Sequence, residues 1–160
     1  MDVSPITVGM HCYTRMLTSK SHPVVLTVFP GHVRIAAENE VFYNGPADQL
    51  EAKYKTLKAS IEVRPAGGKP LYIAALGAAS SGEHSPAQVE EILRNQERAA
   101  QDPQASQLEA GRTVWIGGSN HADGTYGGGL QILAGRELGT LKRVGAMVTE
   151  ALYAVGVRPL

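Results

Sequence analysis

The chain has 160 residues, 43% of them hydrophobic, and its 15 basic side chains balance 15 acidic ones for a formal net charge of zero. That length fits one domain with a sizeable core. The interleaved signs exclude the basic stripe of a nucleic-acid binder and the polybasic segment of a membrane-docking protein. Low net charge also removes like-charge repulsion, so a homo-oligomer is as compatible with the composition as a monomer.

The single cysteine, Cys12, excludes an intramolecular disulfide and any zinc site built on several thiolates; it reads as a small buried apolar residue. The start, Met1-Asp2-Val3-Ser4-Pro5, is acidic and no apolar run follows, unlike a signal peptide. No stretch approaches the roughly 18–20 apolar residues of a membrane span. A soluble, cytoplasmic protein is the expectation.

In chain order, residues 1–79 read mostly as strands. Ile6 to Tyr13 alternates loosely, and Val24 to Phe29 is a β-branched run closed by the turn pair Pro30-Gly31. Val33 and Ile35 then alternate with His32 and Arg34, the period of a half-buried strand. Val41-Phe42-Tyr43 ends at Asn44-Gly45-Pro46. Residues 47–58 favour helix by composition, but Tyr54 and the neighbouring strands leave a strand open. Ile61 to Arg64 and Leu71 to Ala74 flank a Pro- and Gly-rich reversal, a hairpin pattern. Strands this closely spaced predict an antiparallel meander.

Residues 80–111 change character. Ser85-Pro86-Ala87-Gln88 combines a capping serine, a proline where no amide donor is needed, and a glutamine that completes a capping box. A short helix near 86–100 follows, with Val89, Ile92 and Leu93 on its apolar face and Glu90 and Arg94 paired at i,i+4. A polar connection then runs to Gly111. In 112–160 the order is a strand-like run (Thr113 to Ile116), a glycine-rich loop, a strand candidate at Leu130 to Leu133, and an apolar stripe. That stripe (Leu138, Leu141, Gly145, Val148, Leu152, Val155) predicts a long amphipathic helix near 136–155 capped by Gly156.

The loop at 117–129 holds the densest chemistry. Glycines at 117, 118, 124, 127, 128 and 129 flank Ser119, Asn120, His121, Asp123 and Tyr126. Ordering glycine costs conformational entropy, so such density marks a sharp reversal or a backbone that a ligand approaches closely. His121 and Asp123 point the same way in an extended segment and offer nitrogen and oxygen ligands or a His–carboxylate pair. Gly127-Gly128-Gly129 can place bare amides around an anion. The same residue types also build any long turn. Trp115, Tyr126 and Tyr72 either stack on a planar ligand or fill the core.

His32 follows Pro30-Gly31 with Glu38 and Glu40 shortly after, and His121-Ala122-Asp123 follows a later strand. This resembles the zinc-dependent cell-wall amidases, in which Pro-Gly-His ends one strand, a glutamate follows and His-Ala-Asp ends another. The resemblance implies zinc held by His32, His121 and Asp123, with Glu38 or Glu40 beside it and Glu150 as the late catalytic carboxylate. Val33-Arg34 stands where those enzymes carry a glycine pair, and the antiparallel first half departs from their alternating strands and helices. The meander with its terminal helix is also similar to pleckstrin-homology-type barrels. That likeness implies an anionic head group or peptide as ligand; Lys53, Lys55 and Lys58 then form either a modest anion patch or a solvated face.

The expectation is therefore one α+β domain: a mainly antiparallel sheet or partial barrel, with a short middle helix and a long C-terminal helix packed on it. Functionally it reads as a binding module recognising a small polar or anionic ligand, or a protein partner, through Ser119, Asn120, His121, Asp123, Tyr126 and Gly128. The alternative is a zinc hydrolase; apart from zinc, no cofactor is implied.

Overall fold

A computed structural model describes residues 3–15, 20–78, 82–117, 131–133 and 137–160. The first four strands, β1 (Ile6–Tyr13), β2 (His22–Phe29), β3 (His32–Ala36) and β4 (Val41–Pro46), form an antiparallel meander. Residues 47–58 resolve as strand β5 (Leu50–Lys55) between two short 3-10 turns. The hairpin expected around the 65–70 reversal is β6 (Ser60–Pro65) paired with β7 (Leu71–Ala74). β7 returns to pair with β1, and β10 (Arg158–Pro159) adds parallel to β5.

The result is a mixed eight-stranded sheet in the order β10-β5-β6-β7-β1-β2-β3-β4, accompanied by two helices, an α+β arrangement. It is not a barrel. β10 and β4 are its two edges and do not pair with each other. Pro46 has no N–H to carry the β4 ladder further, and the 3-10 turn after it sends the chain to pair with β6 instead.

Helix α1 (Pro86–Gln101) starts as its sequence anticipates. The Ser85 side chain accepts from the Gln88 amide at 3.2 Å, and Gln88 Oε1 accepts from the Ser85 amide at 2.9 Å. Helix α2 (Leu138–Ala154) ends at Gly156, whose φ of 118° suits glycine. The helices have 16 and 17 residues, so the expected contrast between a short middle helix and a long terminal one is absent. Gln88 and Gln96 complete the buried side of α1 beside Val89, Ile92 and Ala99.

Alternation along β1 sorts the layers. Ile6, Val8, Met10 and Cys12 enter the main core with Leu26, Ile61, Val63 and the α2 residues Val144, Met147, Val148 and Leu152. On the other face Gly9 lies under Ile92 of α1, while Val25, Val89 and Ile116 form a second cluster with Ile92. Cys12 is buried, as expected, and burial, followed by the charge of Glu40, pushes its thiol up to about 12. Among the described residues no helix is long and apolar enough to cross a membrane.

Candidate functional site

β1 is shared by two neighbours on its β7 side. β7 pairs with His11, Cys12 and Tyr13; beyond that point Gly9 takes over, donating to the Trp115 carbonyl at 2.9 Å and accepting from the Gly117 amide at 2.8 Å. The segment 115–117 follows β8 (Thr113–Val114), which pairs in parallel with β9 (Gln131–Ile132). A fork therefore opens between the end of β7 and the start of the glycine-rich loop. Ala75 sits at its crotch, with its carbonyl accepting from Trp115 Nε1 at 3.3 Å. A Cβ on Gly117 would overlap that same carbonyl oxygen, so only glycine lets the chain pass there. Trp115 is 2% exposed and belongs to the core rather than to a ligand.

Two buried imidazoles stand at this fork. His11 Nε2 lies 3.0 Å from the Gly117 carbonyl, and His84 Nε2 lies 3.0 Å from both the Met10 and the Val24 carbonyl. A carbonyl can only accept, so both rings carry their proton on Nε2. Their Nδ1 atoms are buried with no hydrogen-bond partner among the described residues. The rings meet edge to face, centroids 5.1 Å apart. Protonating Nδ1 would create a buried N–H without an acceptor. Burial accordingly lowers the His11 pKa and takes His84 down to about 4, against the weaker opposing effect of the backbone carbonyls. Both rings are neutral at pH 7 and act as fixed donors that brace the loop's root.

Beside the fork a pocket of about 420 Å3 is lined by Tyr13, Arg15, Lys58, Ser60, Tyr72 and Ala75, with Leu141 of the first α2 turn as a wall. Strand register builds it: Tyr13 pairs with Tyr72, and Ser60 with Ala74, so their side chains share one face. Tyr13 is held by donating its hydroxyl to the Leu76 carbonyl at 3.3 Å. Lys58 and Ser60 flank Ala59, whose φ of 48° is left-handed, the one such non-glycine residue among those described. That conformation costs an L-residue about 1 kcal/mol or more; here it closes the 3-10 turn Thr56–Lys58, the Ala59 amide donating to the Thr56 carbonyl at 3.3 Å.

Lys55, Glu62 and Arg64 form a satisfied neighbour of the pocket. Lys55 Nζ lies 2.6 Å from Glu62 and 5.8 Å over the Tyr72 ring, and Arg64 bonds the other carboxylate oxygen. Those bonds, led by the one from Lys55, hold the buried Glu62 carboxyl below the usual carboxylate range. The three lysines thus part company: Lys53 is exposed, Lys55 is paired and Lys58 faces the pocket.

Of the residues expected at a site, Ser119, Asn120, His121, Asp123, Tyr126 and Gly128 lie outside the described residues. His32 opens β3, where it stacks on Phe29 at 4.8 Å and shares a 2.7 Å hydrogen bond with Asn44. Glu38 and Glu40 are exposed beyond the far end of β3. Five residues of extended chain place them roughly 13 Å or more from His32. Glu150 is exposed on α2. His32 and the two glutamates thus stand at opposite ends of β3, and the other members of the expected grouping, His121 and Asp123, lie outside the described residues. Among the described residues no three His, Cys, Asp or Glu side chains gather to hold a metal.

His11, His84, Tyr13, Arg15 and Ser60 escaped the sequence reading. The signal available was modest: His11 interrupts an apolar strand, and His84 directly precedes a helix cap. Compared with protein-family profiles, with curated proteins and with solved structures, the chain finds no match in any of the three.

Proposed function

We propose that this protein is a binding module that takes up a small polar or anionic ligand where the glycine-rich loop leaves the sheet. One observation carries the reading: the loop's first residue, Gly117, is clamped to β1 by Gly9 and His11, and it passes the Ala75 carbonyl, which belongs to the rim of the 420 Å3 pocket. Pockets of that size accept small ligands, and a rigid root beside a pocket lets a loop's side chains reach a bound molecule at low ordering cost. Ser119, Asn120, His121, Asp123, Tyr126 and Gly128 are the loop's proposed contributors.

The zinc-hydrolase alternative draws less support, since His32 is engaged with Asn44 and lies a strand's length from Glu38 and Glu40. About one zinc per purified chain, lost together with thermal stability on chelation, would restore it. A protein partner at the same loop is the remaining variant of the binding reading.

A thermal-shift screen of small polar and anionic compounds tests the proposal. At least one should raise the melting temperature, and the rise should vanish in His121→Ala and Asp123→Ala. Shifts that persist unchanged in both variants remove the loop from the site.

A further inference from the structure

We infer that the pocket between β1, β6 and β7 takes a planar organic phosphate, with the ring against Tyr13 and Tyr72 and the phosphate between Arg15 and Lys58. The inference rests on the binding-module reading and names its ligand class.

Charge comes first. Among the described residues, the side chains lining the pocket include two cations and no carboxylate. Arg15 and Lys58 are both exposed, and among the described residues neither has an ion-pair partner. The buried acid Glu62, the cross-strand partner of Tyr72, is already neutralised by Lys55 and Arg64. Two cations without an ion-pair partner among the described residues match a phosphate monoester, which carries about −1.5 to −2 at pH 7. A carboxylate would leave one of them unmatched.

The remaining walls specify the other half of the ligand. Tyr13 and Tyr72 are half-buried cross-strand partners on one face, and Ala74, Ala75 and Leu141 extend an apolar floor. Tyr13 is fixed through Leu76, and the Lys55 ammonium sits over Tyr72, so neither ring is a loose surface tyrosine. Such walls favour a flat ring by stacking. Ser60 is buried at the pocket edge and supplies a hydroxyl that both donates and accepts. Lys58 and Ser60 line the same cavity on either side of the left-handed Ala59.

Calorimetric titration of the full chain with phenyl phosphate, inorganic phosphate and phenol is the test. Phenyl phosphate should bind at least about tenfold more tightly than either fragment, and more weakly as salt is raised. Arg15→Gln and Lys58→Gln should each weaken it by about tenfold. Tyr72→Leu should weaken phenyl phosphate but leave inorganic phosphate unchanged. All three positions are exposed or half-buried, and thermal melts confirm that the variants fold. Phenyl phosphate no tighter than inorganic phosphate, or indifference to the three variants, overturns the inference. If another compound binds and depends on His121 and Asp123 while phenyl phosphate fails, the ligand class is wrong and the binding-module reading stands. If phenyl phosphate depends on the pocket but not on those loop residues, the ligand class stands and the loop is excluded.

Discussion

Gly77 lies so close over the His11 ring that a Cβ at position 77 would overlap Nδ1. His11 cannot easily yield, because its Nε2 is held by the Gly117 carbonyl and its ring packs against His84. Gly77→Ala should therefore cost roughly 1–3 kcal/mol, as overpacking of a filled interior does. Urea unfolding gives the value, and the cost should shrink in a His11→Ala background. An equal cost in both backgrounds would mean that the ring is not the obstacle.

His84 makes stability depend on pH in a defined window. Its folded pKa of about 4 lies below the ordinary 6.5, so the unfolded chain binds the proton more readily. Stability is complete above pH 6.5 and falls as pH drops toward 4, by up to the order of 3 kcal/mol. His11 is lowered in the same direction and adds to the slope. Glu62 and Asp102 are held below the usual carboxylate range, so their contribution is lost at lower pH. Between pH 6.5 and 5 the wild type should weaken steadily, whereas His84→Gln should be less stable at pH 7 and flatter across that range. Parallel profiles for the two proteins would rule the imidazole out as the source.

Gln96 is fully buried on α1 and ties three segments together. Its Oε1 accepts from the Thr7 amide at 2.8 Å, and its Nε2 donates to the Ala110 and Thr113 carbonyls at 2.7 and 2.6 Å. Gln96→Leu keeps the volume but strands a buried amide and two carbonyls, so a loss of about 2–4 kcal/mol is expected. The midpoint of chemical unfolding measures it. A change below about 0.5 kcal/mol would show that water replaces all three bonds.

Gly145 lets α2 approach β5. A Cβ there would stand 2.5 Å from Tyr54 Cε1. Gly145→Ala gains helix propensity of about 1 kcal/mol but must displace a packed ring, so a net loss of about 1–2 kcal/mol is expected. Adding Tyr54→Leu should convert the alanine into a stabilising change. If Gly145→Ala alone raises the melting temperature, the ring moves freely and the close approach carries no constraint.

Local signals were legible because they act over a few residues. Pro30-Gly31 and the 65–70 reversal each end a strand where their backbone chemistry says they should, whereas β4 runs on through Asn44 and Gly45 to Pro46, because those residues pair with Arg34, Val33 and His32 of β3. The Ser85–Gln88 capping box and the Gly156 terminus likewise form from neighbours in the chain. Residues 47–58 stayed ambiguous because their strand exists only through pairing with β6 and β10. Of the two expected forms, sheet or partial barrel, the sheet formed and the barrel did not, since closure depends on which distant edges meet.

The sequence by itself determined where the chain bends, which stretches alternate, and that most strands run antiparallel, all consequences of short-range sterics and apolar periodicity. Only the tertiary structure decided the site. The His11 bond to Gly117 joins residues 106 apart, and His84 reaches Met10 across 74. The pocket likewise draws Arg15, Lys58, Tyr72 and Leu141 from separate elements. No periodicity encodes such meetings, because they arise when a shared core pulls remote strands into register.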